Sequence, residues 1–185
     1  MSRHAFYALI AIGPKPRLVD SSDEYQLSIW RPRLTNAFPT GMRRKAMLAW
    51  WAMHHAHGFA NRDYAVVTIH NGERLVHHTC VFPGYFRFPF MGRDDLQFGD
   101  IWTDPDSRGR GLAGTALAAA MSEFGSAGRR FWYLTETANH ASQRVATKAG
   151  FEFVGEGERV ARYRVRLLGQ FVLEEHSPDS RRLAG

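Results

Sequence analysis

Chemistry in this chain is concentrated between Asp100 and Gly114, which reads D-I-W-T-D-P-D-S-R-G-R-G-L-A-G. Gly109, Gly111, Ala113 and Gly114 put almost no side chain around the start of a helix, whose unpaired N–H groups and positive dipole end are then open to an anion. Arg108 and Arg110 bring charge to the same place, and a guanidinium fork suits phosphate oxygens better than a lysine point charge does. A phosphate-like ligand is expected there. No Gly-Lys-Ser/Thr follows the glycines, so the loop is not of the Walker type.

The elements that must hold this loop stand on either side of it. Leu96 to Thr103 is a strand-like run leading in, and Leu112, Ala116, Leu117, Ala120, Met121 and Phe124 recur at the spacing of a helix with one buried face. Arg129 to Glu136 reads as the next strand, with Phe131-Trp132-Tyr133-Leu134 buried, and Asn139 to Ala149 as a helix stopped by Gly150. Upstream, Tyr64 to His70 and Glu73 to Phe82 flank Asn71-Gly72, a hairpin signal. Tyr25 to Arg31 reads as a strand ended by Pro32, and Arg43 to His57 as a helix whose Trp50 and Trp51 either pack or line a pocket. The aromatic loop from Pro83 to Phe90 folds onto the core, walls a pocket or makes an oligomer contact, which leaves a homodimer open. From Phe151 a last hairpin alternates Arg162, Arg164 and Arg166 with Ala161, Tyr163, Val165 and Leu167, with its turn expected near Leu168-Gly169. That arginine stripe is a solvated face or a phosphate contact. A single domain over residues 1–185 is expected, with 1–22 and 176–185 peripheral.

Composition narrows the class. A chain of 185 residues with 44% hydrophobic and 23% charged residues has the make-up of an ordinary soluble globular protein. The net charge of +6 fits an anionic ligand; no helix-turn-helix, zinc-finger or RNP pattern accompanies it, so nucleic acid is not the expected partner. Cys80 is the sole cysteine, which excludes an internal disulfide and points to a reducing, cytoplasmic setting. The run from Ala5 to Ile12 is short for a signal peptide and Gly13-Pro14-Lys15-Pro16 offers no cleavage site, and no stretch is long enough to span a membrane. His54, His55 and His57 have no Cys or carboxylate at ligand spacing, while His77 and His78, adjacent on a strand, point to opposite faces; no metal is expected.

The spacing Arg108-x-x-Gly111-x-Ala113, led in by Thr103-x-Pro105-x-x-Arg108-Gly109, resembles the acyl-CoA pyrophosphate loop of the GCN5-related N-acetyltransferases, the GNAT superfamily. Asn139-x-x-Ser142 followed by Lys148-x-Gly150-Phe151 is similar to the family's second landmark, and the likeness covers Leu96 to about Glu175. It implies an α/β fold: a mixed, mostly antiparallel sheet flanked by helices, with the strands Leu96 to Thr103 and Phe131 to Glu136 splayed apart at one end. Acetyl-CoA would be the acyl donor, its pantetheine arm along Ile101, Trp102 and Thr103. Its pyrophosphate would lie on Arg108, Gly109, Arg110, Gly111, Leu112, Ala113 and Gly114, with Asn139 and Ser142 beside it. The implied reaction is direct transfer of acetyl to a primary amine of a small molecule. Such an amine must be neutral to attack, so Asp100 and Glu136 are candidate bases, with His77 or His78 behind them. A backbone N–H near Trp102 would meet the oxyanion if the strand bulges at Gly99. Where many members carry a tyrosine that protonates the departing thiolate, this chain has Ala146, and Ser142, one turn earlier, remains as a hydroxyl able to hydrogen-bond the sulfur. The segment His77 to Gly114 also resembles acetyltransferase-like proteins encoded with surface-polysaccharide pathways, implying an amino sugar on a nucleotide carrier as acceptor.

Two other readings use the same residues. Gly109-x-Gly111-x-x-Gly114 is also a GxGxxG, with Glu136 closing the next strand as a ribose-binding acid would; yet Asp104 to Arg108 intervene, and too little chain follows for a dinucleotide fold. A non-catalytic acyl-CoA-binding module would need the loop but no base.

Overall fold

Eight strands form one sheet in the order β2-β3-β4-β5-β6-β1-β7-β8. They are β1 (Arg3–Ile10), β2 (Gln26–Trp30), β3 (Ala65–Asn71), β4 (Arg74–Pro83), β5 (Leu96–Thr103), β6 (Arg130–Glu136), β7 (Glu152–Arg162) and β8 (Val165–Glu175). The computed structural model describes residues 3–11, 24–42, 45–162 and 165–175; the proposed arginine stripe, Gly13 to Pro16 and the tail from His176 lie outside the described side chains. The helices are α1 (Lys45–His55), α2 (Leu112–Phe124) and α3 (His140–Lys148). Among the described residues every pairing is antiparallel except β5 with β6, which is not the doubly wound parallel sheet that a dinucleotide fold needs.

That parallel pair is short. It holds from Leu96 opposite Phe131 to Phe98 opposite Tyr133, after which β5 and β6 part and the sheet opens as a V. A bulge re-aims β5 at the vertex: His78 pairs with Trp102 and Cys80 with Gly99, so β5 carries one residue more than β4 across that interval. The residue with left-handed backbone is Asp100, at φ 45°, and not Gly99. A short carboxylate side chain tolerates that region far better than a β-branched one. Gly99 faces the Phe82 ring, Asp100 faces His78, and Ile101 then turns to the opposite side.

One face of the sheet packs against α2 through Leu112, Ala116, Leu117, Ala120 and Phe124, over Val67, Ile69, Val81, Leu96, Phe98 and Phe131. On the other face Met47, Trp50 and Met53 of α1 cover Tyr64, Val66, Cys80 and Phe82. The aromatic loop folds onto this second face, where Phe88 stacks on Phe171 with centroids 5.1 Å apart and Tyr85 meets Trp50 and Phe59 edge-on. Its rings thus bridge two aromatic clusters on either side of β5.

Two expectations are corrected. Residues 1–22 are not wholly peripheral, because β1 is an interior strand between β6 and β7 with Ala5, Phe6 and Tyr7 buried. Leu168-Gly169 is not the last turn: β8 runs straight through it, and the pairing of Arg162 with Val165 puts the reversal earlier. Gly169 is taken up as a strand residue whose carbonyl accepts from Arg159.

Candidate functional site

A cleft of about 890 Å³ opens on the α2 side of the V, between β5, the loop before α2, and α3. Asp104 anchors the loop: it is buried, pairs with Arg74, and its Oδ1 accepts from the Asp106 N–H at 3.2 Å. A single 3₁₀ turn over Pro105–Ser107 follows, and the Arg108 Nε donates back to the Thr103 carbonyl at 3.3 Å. Gly109 and Gly111 both sit at φ 78°, and nothing lies within 4 Å of where a Cβ would stand on either. Gly111 is the N-cap of α2 and supplies no side chain to the first-turn N–H groups. The helix therefore presents open donors and its positive end to the cleft.

Of the residues proposed for the cofactor, Ile101, Trp102, Thr103, Arg108, Gly109, Gly111, Leu112, Ala113, Gly114, Asn139 and Ser142 line this cleft. Arg110 does not. Its guanidinium turns away to Glu24 at 3.1 Å and the Tyr25 hydroxyl at 2.8 Å, an ion pair that sequence spacing cannot foresee. Asn139 caps α3, its Oδ1 accepting from the Ser142 N–H at 3.0 Å.

The structure adds a residue that the sequence reading left in the core. Tyr133, on β6 at the last paired position before the V opens, lines the cleft, and its Oη lies 2.8 Å from the Ser142 Oγ. Burial pushes its phenol up from the ordinary value, so it stays protonated and able to donate. Ala146, on α3, is fully buried. A phenol missing from the helix is thus present on the facing strand, and the sign of it was a tyrosine in an otherwise apolar run, whose hydroxyl needs a partner when buried.

The candidate bases lie on the other face. The Asp100 carboxylate is 3.7 Å from His78 Nε2 and 4.0 Å from Cys80 Sγ. His78 is buried, stacks on Trp102 with centroids 5.6 Å apart, and neither ring nitrogen has a hydrogen-bond partner among the described residues. Glu136 is exposed at the end of β6, opposite His4, and does not line the cleft. His77 faces the opposite way, its ring nitrogens 2.8 Å from the hydroxyls of Thr103 and Thr79. Among the described residues no group of three or more His, Cys, Asp or Glu converges on a metal-sized site, and no helix is long and apolar enough to cross a membrane.

Burial, and then the charge of His78, pull the His77 pKa down to about 3. It is therefore a neutral hydrogen-bonding post for Thr103. Between pH 6.5 and about 3 the unfolded chain binds a proton at this position that the folded chain refuses, so stability falls as pH falls. We expect a slope of up to about 1.4 kcal/mol per pH unit from this one residue, and urea titrations of His77→Gln across that window should show a correspondingly shallower loss.

Residues 17–152 match a family model described as an acetyltransferase (GNAT) domain. No curated protein matches the chain. Among solved structures, a GCN5-related N-acetyltransferase from Sphaerobacter thermophilus superposes with a TM-score of 0.56 at 14% identity, over 84% of this chain and 49% of that one. The tandem GNAT protein from the clavulanic acid biosynthesis pathway gives 0.52 at 16% identity, over 83% and 50%. An acetyltransferase from the GNAT family of Colwellia psychrerythraea gives 0.51 at 14%, over 83% and 53%. At these identities the likeness is one of fold. The chain spans between 48% and 62% of the length of the first solved chains it matches.

Proposed function

Because this chain belongs to the GNAT acetyltransferase domains, we propose that it moves an acetyl group from acetyl-CoA directly to a primary amine of a small molecule. One observation carries the reading: a glycine-flanked, uncapped helix N-terminus opens into a cleft that runs along β5 to the point where β5 and β6 part. The first-turn amides of α2 and Arg108 are suited to a pyrophosphate. Beyond Phe98 the edge of β5 that faced β6 has no strand beside it among the described residues, so an extended pantetheine arm can add there as a strand would. The thioester brings its own reactivity, and the protein's main task is to hold the amine against it.

Asp100 is the base in this reading. The amine crosses the V from the α1 side and gives up its proton to the Asp100 carboxylate, with His78 alongside. As nitrogen bonds the acyl carbon, a backbone N–H beside the bulge meets the oxyanion. The carbon–sulfur bond then breaks, the sulfur leaves as a thiolate steadied by a hydrogen bond from the Ser142 hydroxyl, itself bonded to Tyr133, and the proton held on Asp100 passes to water. Glu136 is the second candidate base, and a nucleotide-linked amino sugar is one acceptor consistent with the scheme.

A screen of amines for acetyl transfer, run beside calorimetry of acetyl-CoA and NAD, tests this. Tight CoA binding with no turnover of any amine would favour a non-catalytic module. Tyr133→Phe and Ser142→Ala should each lower kcat by roughly ten- to a hundredfold with acetyl-CoA affinity nearly intact. Because the two hydroxyls act as one unit, the double variant should lose little more than either single one.

A further inference from the structure

The sheet face opposite the cofactor cleft carries an unusual polar strip where β5 crosses it. Its floor is Gln97, Gly99 and Asp100, with apolar aromatic clusters on both flanks. Over the Gln97 end stands Tyr85, whose hydroxyl faces the side chains of Gln97 and Arg87. Arg159 of β7 comes within electrostatic reach of the same hydroxyl, so two guanidiniums converge on a neutral phenol. The Arg87 Nε is buried with no hydrogen-bond partner among the described residues.

Both arginines are held from behind. The Arg87 carbonyl accepts from the Phe171 N–H at 2.8 Å, Gln170 Nε2 donates to the Phe86 carbonyl at 2.7 Å, and Arg159 Nε donates to the Gly169 carbonyl at 3.4 Å. Arg87 also lies over the Phe86 ring at 5.6 Å. Half-buried guanidiniums fixed by their own backbone are suited to bidentate binding of an oxyanion. Gln97 lies three residues before Asp100 on one strand, which puts this cluster roughly 8 to 10 Å from the carboxylate.

We infer that the acceptor carries an acidic group, carboxylate or phosphate, which docks on Arg87 and Arg159 while its amine faces Asp100. This rests on the acetyltransferase reading and deepens it, because it assigns the acceptor's class. Gly99 is the thin part of the floor: the Phe82 ring packs down against its backbone, and a Cβ there would come to 3.3 Å from that ring. Glu136 stands on the same face at the far end of β6, where strand alternation from Leu134 places it.

The test is a matched acceptor series: primary amines of graded length ending in a carboxylate, a phosphate monoester or a neutral amide. The acid-ended members should exceed their neutral counterparts in kcat/KM by roughly ten- to a hundredfold, through KM and with an optimum length. Whichever acid shows the greater gain identifies the source of the anion. Arg87→Gln and Arg159→Gln should each lower kcat/KM for the acid-ended acceptor about tenfold more than for the neutral one, and Arg87→Lys should restore part of the difference. Equal use of acid-ended and neutral amines by the parent, or a preference that survives the double Gln variant, overturns the inference and leaves the transferase reading intact. Acetyl-CoA binding with no turnover of any amine overturns both.

Discussion

Asp100→Asn should lower kcat/KM for amine acetylation by roughly 10²- to 10⁴-fold while acetyl-CoA binds as before. The substitution is chosen for its geometry. Asp100 holds φ at 45°, a region asparagine also tolerates, so the bulge and the strand register are kept and only the proton acceptor is lost. Asp100→Ala would mix catalytic loss with backbone strain. A carboxylate base works only when deprotonated, so the parental rate falls as pH falls; that acid limb should vanish in Asp100→Asn and persist in Glu136→Gln. Running two acceptors of different pKa separates the base from the amine's own titration. If the limb moves in Glu136→Gln instead, the base is at the end of β6 and the Asp100 assignment is wrong.

Gly111→Val should cost acetyl-CoA roughly 100-fold or more in affinity, measured by calorimetry. Two effects add. At φ 78° a β-branched residue is strained, by about 1–2 kcal/mol, and its side chain would occupy the open space into which the α2 amides point. Gly111→Asn separates them, since asparagine accepts the left-handed backbone yet still fills that space. If only strain mattered, the Asn variant would bind as the parent does and the melting temperature of Val alone would drop. Arg108→Glu should also weaken binding, by replacing an attractive charge with a repulsive one in the same cleft. Parental affinity in both Gly111→Val and Arg108→Glu, or a parental preference for NAD, would remove the loop from the site.

The parts of this architecture that could be read from the sequence are those whose causes are local. The run from Leu96 through the glycines to Phe124 is a strand, an anion-sized turn and an amphipathic helix, each announced by its own residues. Asn139 and Gly150 announce the two ends of α3 in the same way. What could not be read depends on partners far away in the chain. Arg110 looks like a phosphate ligand until Glu24 and Tyr25 are folded beside it. Tyr133 looks like core until Ser142 is seen 2.8 Å from its hydroxyl. The bulge at the vertex was expected from Gly99, yet the strained residue is the carboxylate next to it, because register with β4 decides which residue is left over. Leu168-Gly169 has turn chemistry, and pairing with β7 overrides it.

The place of β1 has a consequence in time. His4 pairs with Glu136 on one side and Gly157 on the other, so β1 is made before both of its partners and waits for strands near the end of the described residues. Until they arrive it is an apolar strand with both edges bare, while β3, β4 and β5 can already pair with their neighbours in sequence order. Folding of this sheet should therefore end with the insertion of β1, and the interval before it is when the chain is most exposed to aggregation.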